Sequence, residues 1–193
     1  MNTFAQPLQT SRLVMRPVEP ADAAAFLSWR SRPDVMRFMY QEPWTPETAE
    51  AKLAEWSATR ELAKTGDAVQ FAVARRRHPE TLIGELMLKR AEGEAQAEIG
   101  WTLDPAAQGR GYATEAAGAL LNLAFGELGF HRAFARLDEE NLPSVRLCVR
   151  LGMRLEARHI ENDRRPADGV WSTELVYAVL ASEFAQSADS LRV

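Results

Sequence analysis

The run Gln108-Gly109-Arg110-Gly111 sits between an alternating stretch, "AQAEIGWTL" (95–103), and a helical pattern. A strand, a glycine turn and a helix N-terminus together make a place for an anion. Free backbone N–H groups converge there, and the aligned peptide dipoles add positive potential. Gly109 and Gly111 have no Cβ, so a phosphate can approach the main chain closely, and Arg110 brings a full positive charge. The competing reading is a glycine pair that only shapes a strand-to-helix turn. Two familiar phosphate loops do not fit. No Gly-x-x-x-x-Gly-Lys-Ser/Thr run occurs, and a Gly-x-Gly-x-x-Gly/Ala run started at Gly109 fails at Thr114.

The elements that must hold this turn follow from periodicity. Residues 11–18 alternate and read as a strand, and residues 20–30 as a short helix entered at a proline. Thr45 is an N-cap with Pro46 at the first helical position, and the helical spacing of Ala49, Leu53 and Trp56 predicts a helix to about residue 64. Strands follow at 69–75, 81–89 and 95–103. After the glycine turn, Ala113, Ala116, Ala117, Leu120, Leu121, Ala124 and Leu128 form one apolar helical face that stops at Gly129. A strand at 132–137 leads to a short helix capped by Asn141, with Val145, Cys148 and Val149 expected inward and Gly152 as its stop. Two strands, 153–160 and 170–180, close the order. It is the order of a mixed α/β sheet with helices on its faces.

Composition bounds the rest. A chain of 193 residues with 46% apolar and 26% charged residues reads as one globular domain with a core of its own. A net charge of −4 argues against a general nucleic-acid binder. The single Cys148 cannot form an internal disulfide, the N-terminus lacks the charged-then-apolar layout of a signal peptide, and no apolar run is long enough to cross a membrane. The expectation is a cytoplasmic protein with no nucleic-acid or membrane partner. His78, His131 and His159 lack ligand spacing, so no metal is expected.

Four blocks carry a resemblance. "QGRGYA" fits the Gln/Arg-x-x-Gly-x-Gly/Ala loop of the GNAT acetyltransferases, through Gln108, Gly111 and Ala113. "TSRLVMRPVEPADAAAF" (10–26) resembles the opening of the RimJ/RimL branch, which acetylates ribosomal-protein N-termini. "AEIGWTLDPAAQGRGYATEA" (97–116) and "NLPSVRLCVRLGM" (141–153) are similar to its central block and its Asn-x-x-Ser helix. "DGVWSTELVYAVL" (168–180) resembles its closing strand, with Thr173 where an Asp is usual. The resemblance implies a single-domain GNAT fold over residues 10–184, with 1–9 and 185–193 as tails. It also implies a mostly antiparallel sheet of about seven strands, splayed at the centre, with four helices on its faces.

The same resemblance implies acetyl-CoA as the donor. Its pyrophosphate would lie on the main chain of Gln108, Gly109, Arg110, Gly111, Tyr112, Ala113 and Thr114. Its pantetheine arm would pair with the strand of Ile99, Trp101 and Leu103, and Asn141 and Ser144 would meet the arm and the sulfur. Acetyl transfer to an amine needs a proton acceptor and a donor for the leaving thiolate. Glu98 faces away from Ala97, Ile99 and Trp101 and is the favoured base, against the plainer reading of a solvated strand glutamate, and Glu85 is the reserve. No Tyr occurs between 141 and 151, which leaves Ser144 as the candidate acid. Arg146 and Arg150 share the helix's polar face and either meet CoA phosphates or are simply solvated. Trp29, Phe38, Tyr40 and Glu85 are expected to wall the acceptor, with Asp34 and Glu42 near enough to attract a cationic amine. The expected activity is N-acetylation of a peptide N-terminus or small amine by direct transfer in a ternary complex, by a monomer or homodimer. A CoA-binding module without turnover is the alternative.

Overall fold

The computed structural model describes residue 4, residues 6–166 and residues 168–190, with backbone only for 186–190. Eight strands form one sheet: β1 (Leu8–Gln9), β2 (Leu13–Pro17), β3 (Ala68–Arg75), β4 (His78–Arg90), β5 (Gln96–Leu103), β6 (Arg132–Asp138), β7 (Arg154–Arg164) and β8 (Trp171–Leu180). Their spatial order is β1-β2-β3-β4-β5-β6-β8-β7. All neighbours are antiparallel except β5 and β6. The helices are α1 (Ala23–Arg30), α2 (Pro33–Met36), α3 (Pro46–Ser57), α4 (Tyr112–Asn122), α5 (Leu142–Arg150) and α6 (Ala181–Ser190).

Strand alternation sends side chains to two separate cores. Leu86, Leu88, Ala97, Ile99, Ala133 and Ala135 meet Ala116, Ala117, Leu120 and Leu121 of α4 and Leu147 and Cys148 of α5. On the other face Val18 and Ala72 meet Phe26, Trp29, Ala49 and Leu53 of α1 and α3. Each fully buried Leu or Phe contributes about 1.5–3 kcal/mol, so this two-sided burial fixes which face of β5 looks at α4 and α5.

The position that matters for function is the seam between β5 and β6. Only Gln96, Ala97 and Glu98 pair with Arg132, Ala133 and Phe134. Beyond Glu98 the two strands diverge, although β5 continues against β4 to Leu103 and β6 against β8 to Asp138. Among the described residues, the edge of β5 from Ile99 to Leu103 therefore has no strand partner on that side.

The expected fold class holds with its element numbers refined, and two local readings from sequence are corrected. The sheet has eight strands, because the two residues of β1 pair with Met15 and Val14 of β2. The described residues form six α-helices, because α2 and α6 join the expected ones, and Phe184 of α6 packs on Phe125 at 5.5 Å. Of the expected tails, residues 1–3, 5 and 191–193 lie outside the described residues. Helix α3 ends at Ser57, not near 64. The segment after it is anchored to β4, where Arg90 Nε donates to the Leu62 carbonyl at 2.7 Å. Val149 is 61% exposed, and Leu147 and Leu151 are buried beside Cys148 in its place.

Candidate active site

The glycine turn is shaped before any ligand arrives. Gly109 and Gly111 have φ of +74° and +76°, in the left-handed region where a side chain is strained. Among the described residues, no atom beyond its two chain neighbours lies within 4 Å of where a Gly109 Cβ would stand. Gly111 is the N-cap of α4 and offers no side-chain cap. The first main-chain bond back into the helix is Glu115 N–H to the Gly111 carbonyl at 3.1 Å. The N–H groups of Tyr112, Ala113 and Thr114 thus have no intrahelical acceptor. Two other helices have side-chain caps: Thr45 caps α3 through the Thr48 N–H at 3.2 Å, and Asn141 caps α5 through the Ser144 N–H at 3.3 Å.

Arg12 and Glu115 hold this turn in place, and sequence reasoning missed both. The Glu115 carboxylate accepts from the Arg12 N–H at 2.9 Å, from Arg12 Nε at 2.6 Å and from the hydroxyls of Thr10 and Ser11. Burial opposes its ionisation, yet these hydrogen bonds outweigh burial and hold the carboxyl below its ordinary range. Arg12 Nη1 also donates to the Arg110 carbonyl at 3.0 Å, and its guanidinium lies 4.8 Å from the Tyr112 ring centroid. Only the pairing of a Glu in the first turn of a helix with a distant "TSR" could have signalled this rivet.

A cleft of about 620 Å³ starts at the turn. That volume lies within the ordinary range of small-molecule sites. Gln108, Gly109, Gly111, Tyr112, Ala113 and Thr114 wall one end. Trp101, Thr102 and Leu103 of β5 face Asn141, Ser144 and Leu147 across the middle, where the strands have parted. Arg146 and Arg150 stand at the wall as well, and Arg150 Nε reaches Thr114 Oγ1 at 3.2 Å. Asp34, Val35, Phe38 and Met39 close the far end. The Arg110 side chain is outside these walls, and the Ile99 side chain is buried in the first core, so only its main chain faces the seam. Trp101 Nε1 donates to Ser144 Oγ at 3.2 Å and joins the two banks.

Glu98 is not in the cleft. It lies at the last paired rung of β5 and β6, and its side chain is 13% exposed. Arg136 Nε donates to its Oε1 at 3.1 Å, and Lys89 Nζ and Arg136 Nη2 donate to its Oε2 at 3.3 Å. Both oxygens are thus engaged by cations where the strands are still joined. Glu85 lies on the same face, opposite Thr102 of β5. It is buried, with Oε1 accepting from Arg30 Nε at 2.7 Å and Trp29 Nε1 at 3.4 Å, while Oε2 accepts from no described protein donor. The Arg30 guanidinium sits 4.5 Å from the Trp44 ring centroid and 5.2 Å from that of Trp56. Trp29 is 1% exposed in the second core, so it supports this pair and does not line the cleft.

Tyr40 does something the sequence did not disclose. The segment 38–40 crosses the parted strands on the α1 and α3 side. Thr102 Oγ1 of β5 donates to Met39 Sδ at 3.5 Å, and Tyr40 Oη donates to Asp138 Oδ2 of β6 at 3.0 Å and contacts Ser172 Oγ. Tyr40 has φ of +53°, uncommon for a bulky residue and a form of strain found at functional sites. Burial, with the Asp138 carboxylate adding to it, pushes its phenol up to about 12, so it stays a donor. Arg165, 1% exposed, binds Asp138 at 3.3 Å and Glu140 at 2.6 Å, and Arg37 binds Glu140 at 2.7 Å. Burial also pushes the Cys148 thiol up to about 12, which leaves it protonated and a poor nucleophile. No group of three or more His, Cys, Asp or Glu suited to a metal occurs among the described residues. No helix among them is long and apolar enough to cross a membrane.

Comparison with known proteins gives a consistent result. The profile of the acetyltransferase (GNAT) domain family matches residues 12–154. The Bacillus subtilis (strain 168) protein described as the uncharacterized N-acetyltransferase YnaD is 33% identical over 177 residues, 92% of this chain and 98% of its own. A solved GNAT-family acetyltransferase from Bacillus anthracis superposes with a TM-score of 0.81 at 29% identity, over 92% of this chain and all (100%) of that one. A spermidine N-acetyltransferase from Vibrio cholerae, solved with CoA and spermine, shares the fold with a TM-score of 0.78 at 20% identity, over 91% of this chain and 99% of its own.

Proposed function

The chain belongs to the GNAT acetyltransferase family, and on that premise we propose that it moves the acetyl group of acetyl-CoA directly to a primary amine. The observation that carries this reading is the continuity of one cleft from the glycine turn, past Trp101 and Ser144, to Phe38 and Met39. Such a cleft lets the donor and acceptor meet in one ternary complex at the parted strands.

Each part of the donor has a chemical counterpart. The pyrophosphate suits the uncapped N–H groups of α4, where a Cβ-free Gly109 leaves room and the helix dipole favours negative charge. Arg146 and Arg150 at the same end supply cations. The amide-bearing pantetheine arm suits the unpaired edge of β5, which offers main-chain groups as a missing strand would take them. Ser144, on the opposite bank, meets the sulfur, and its hydroxyl stabilises the thiolate as it leaves. The attacking nitrogen approaches from the side spanned by Phe38, Met39 and Tyr40. With both Glu98 oxygens held by Arg136 and Lys89, the amine proton passes to water, and Glu98 anchors the last rung of the seam. Glu85 stands one strand behind Thr102 and outside the cleft walls, where its carboxylate holds Arg30 and its buried Oε2 has no described protein donor.

The four sequence blocks also favour a RimJ/RimL-like place within the family, with a peptide N-terminus or a small amine as acceptor. The test is a mass-spectrometric acetylation assay with acetyl-CoA over a panel of peptide N-termini and small amines. Acetylated product from at least one class supports transfer. Acetyl-CoA binding with no product from any class would make the chain a CoA-binding module.

A further inference from the structure

We infer that Trp101 is a positioning residue that aims the Ser144 hydroxyl at the thioester sulfur. The inference rests on the acetyl-transfer reading above and assigns a role that reading leaves open: why a freely rotating hydroxyl should point the right way.

An indole N–H can only donate. In the 3.2 Å contact between Trp101 Nε1 and Ser144 Oγ, the serine oxygen is therefore the acceptor. The Ser144 main-chain N–H is taken separately, by the Asn141 side chain at 3.3 Å. Among the described residues no acceptor is found for the remaining Ser144 Oγ–H. One lone pair of the oxygen is held by Trp101, so the rotation of the hydroxyl is restricted and its hydrogen is left for a partner in the cleft. Donation into the oxygen also polarises the O–H bond and makes it a better donor. The indole is itself held, because Trp101 packs against the core beneath β5. A Phe would fill the same space and leave the hydroxyl free to turn.

The two residues stand on opposite banks, Trp101 on the unpaired edge of β5 and Ser144 in the first turn of α5. The contact thus joins the two banks beside the line that the pantetheine arm follows. In the transfer step the amine nitrogen forms a C–N bond to the acetyl carbon, and the C–S bond breaks with its electron pair on sulfur. The proton lost by nitrogen goes to water, and the CoA thiolate is held by the Ser144 O–H until water protonates it. Trp101 touches neither reacting atom in this scheme and acts through the oxygen that does.

The test needs no acceptor. The thiol of bound CoA is titrated by its thiolate absorbance in wild type, Ser144→Ala, Trp101→Phe and the double variant, with CoA affinity measured by calorimetry in each. The charged walls of the cleft, Asp34 on α2 and Arg146 and Arg150 on α5, are common to all four proteins, so differences report the hydroxyl. Ser144→Ala should raise the thiol midpoint by about one pH unit, a tenfold loss of thiolate preference. Trp101→Phe should produce about a 2- to 10-fold loss, the worth of one hydrogen bond, and no further loss in the Ser144→Ala background. CoA affinity, measured alongside, separates lost packing of the arm on the indole, equal on both backgrounds, from lost aim of the hydroxyl, seen on the wild-type background alone. Equal shifts from Trp101→Phe on both backgrounds, or no shift on either, would overturn the role of Trp101. Failure of wild type to bind CoA at all would instead overturn the acetyl-transfer reading, and this inference with it.

Discussion

The two ends of the cleft are built from different material. The donor end is mostly main chain: two left-handed glycines and a helix N-terminus without a side-chain cap. The acceptor end is mostly side chains tied across the fold, with Tyr40 bound to Asp138 98 positions away and Arg37 to Glu140 103 positions away. Main-chain recognition of a phosphate tolerates many changes of side chain but not of backbone shape. A side-chain clasp is the reverse, since any one substitution unlocks it. On the proposed reading, a scaffold of this kind keeps its donor through backbone shape and sets its acceptor through side chains such as those of residues 34–40.

The largest expected effect lies behind the acceptor end. Glu85→Ala leaves Arg30, whose side chain is 6% exposed, as a buried charge without its partner. Breaking such a pair costs about 3–5 kcal/mol, read as a lower midpoint in denaturant unfolding, whereas a loss below about 1 kcal/mol would show that water reaches the pair. Next is the junction of the two ends. Ser144→Ala should lower turnover about 10- to 100-fold, with acetyl-CoA affinity nearly unchanged, as expected when one hydrogen-bond donor to the leaving thiolate is lost and water partly replaces it. Unchanged turnover would reduce Ser144 to a first-turn helix residue. Glu98→Gln should be smaller still, with turnover within about threefold across pH 6–9, because a positioned base is worth about 10²–10⁴. A loss in that larger range, shrinking at high pH, would restore Glu98 as the base and move the acceptor toward the closed rung of the seam.

The smallest effect belongs to the Arg12–Glu115 rivet beside the glycine turn and depends on acid. Glu115 titrates below an ordinary glutamate in the folded chain. A depressed carboxyl contributes stability that is complete above its unfolded value and is lost as pH falls through the folded value. The rivet of Arg12 to α4 should thus loosen only in acid, below the ordinary glutamate range. Hydrogen exchange of the Arg12 amide, which bonds Glu115 at 2.9 Å, should accelerate there relative to its neighbours, and Glu115→Gln should show fast exchange already at neutral pH. Exchange that ignores both would mean the turn holds its shape without the rivet.

The same contrast explains what could be read from sequence. Glycines at a strand-to-helix junction advertise their backbone duty, so the turn, β5 and α4 were legible from spacing alone. Strand β1 has only two residues, too few to show a period. The formers "ATRELAK" continue a helical pattern past Ser57, but Leu62 is buried and its carbonyl bonded to Arg90, so tertiary anchoring overrides propensity. In α5, Leu147 and Leu151 flank Cys148 on the side away from Val149 and turn the buried arc with them. The cations on Glu98 arrive from β4 and β6, and the partners of Tyr40 from β6 and β8. Such pairings depend on sheet register, which no local pattern reveals. That is why Glu98 looked free, and why Tyr40 looked like a wall instead of a crossbar.

The central claim is that the main chain at Gly109 and the start of α4 holds the phosphates of acetyl-CoA. Calorimetric titration of acetyl-CoA into wild type and Gly109→Asp tests it most directly. Among the described residues, the site has no atom beyond the two chain neighbours within 4 Å of the new Cβ, and a φ that Asp tolerates better than most residues, so the variant should fold. The claim predicts saturable one-to-one binding in wild type and at least about a 100-fold loss in the variant, or about 2.7 kcal/mol, from a carboxylate placed against the pyrophosphate. Equal affinity in the two folded proteins would contradict it and put the donor elsewhere.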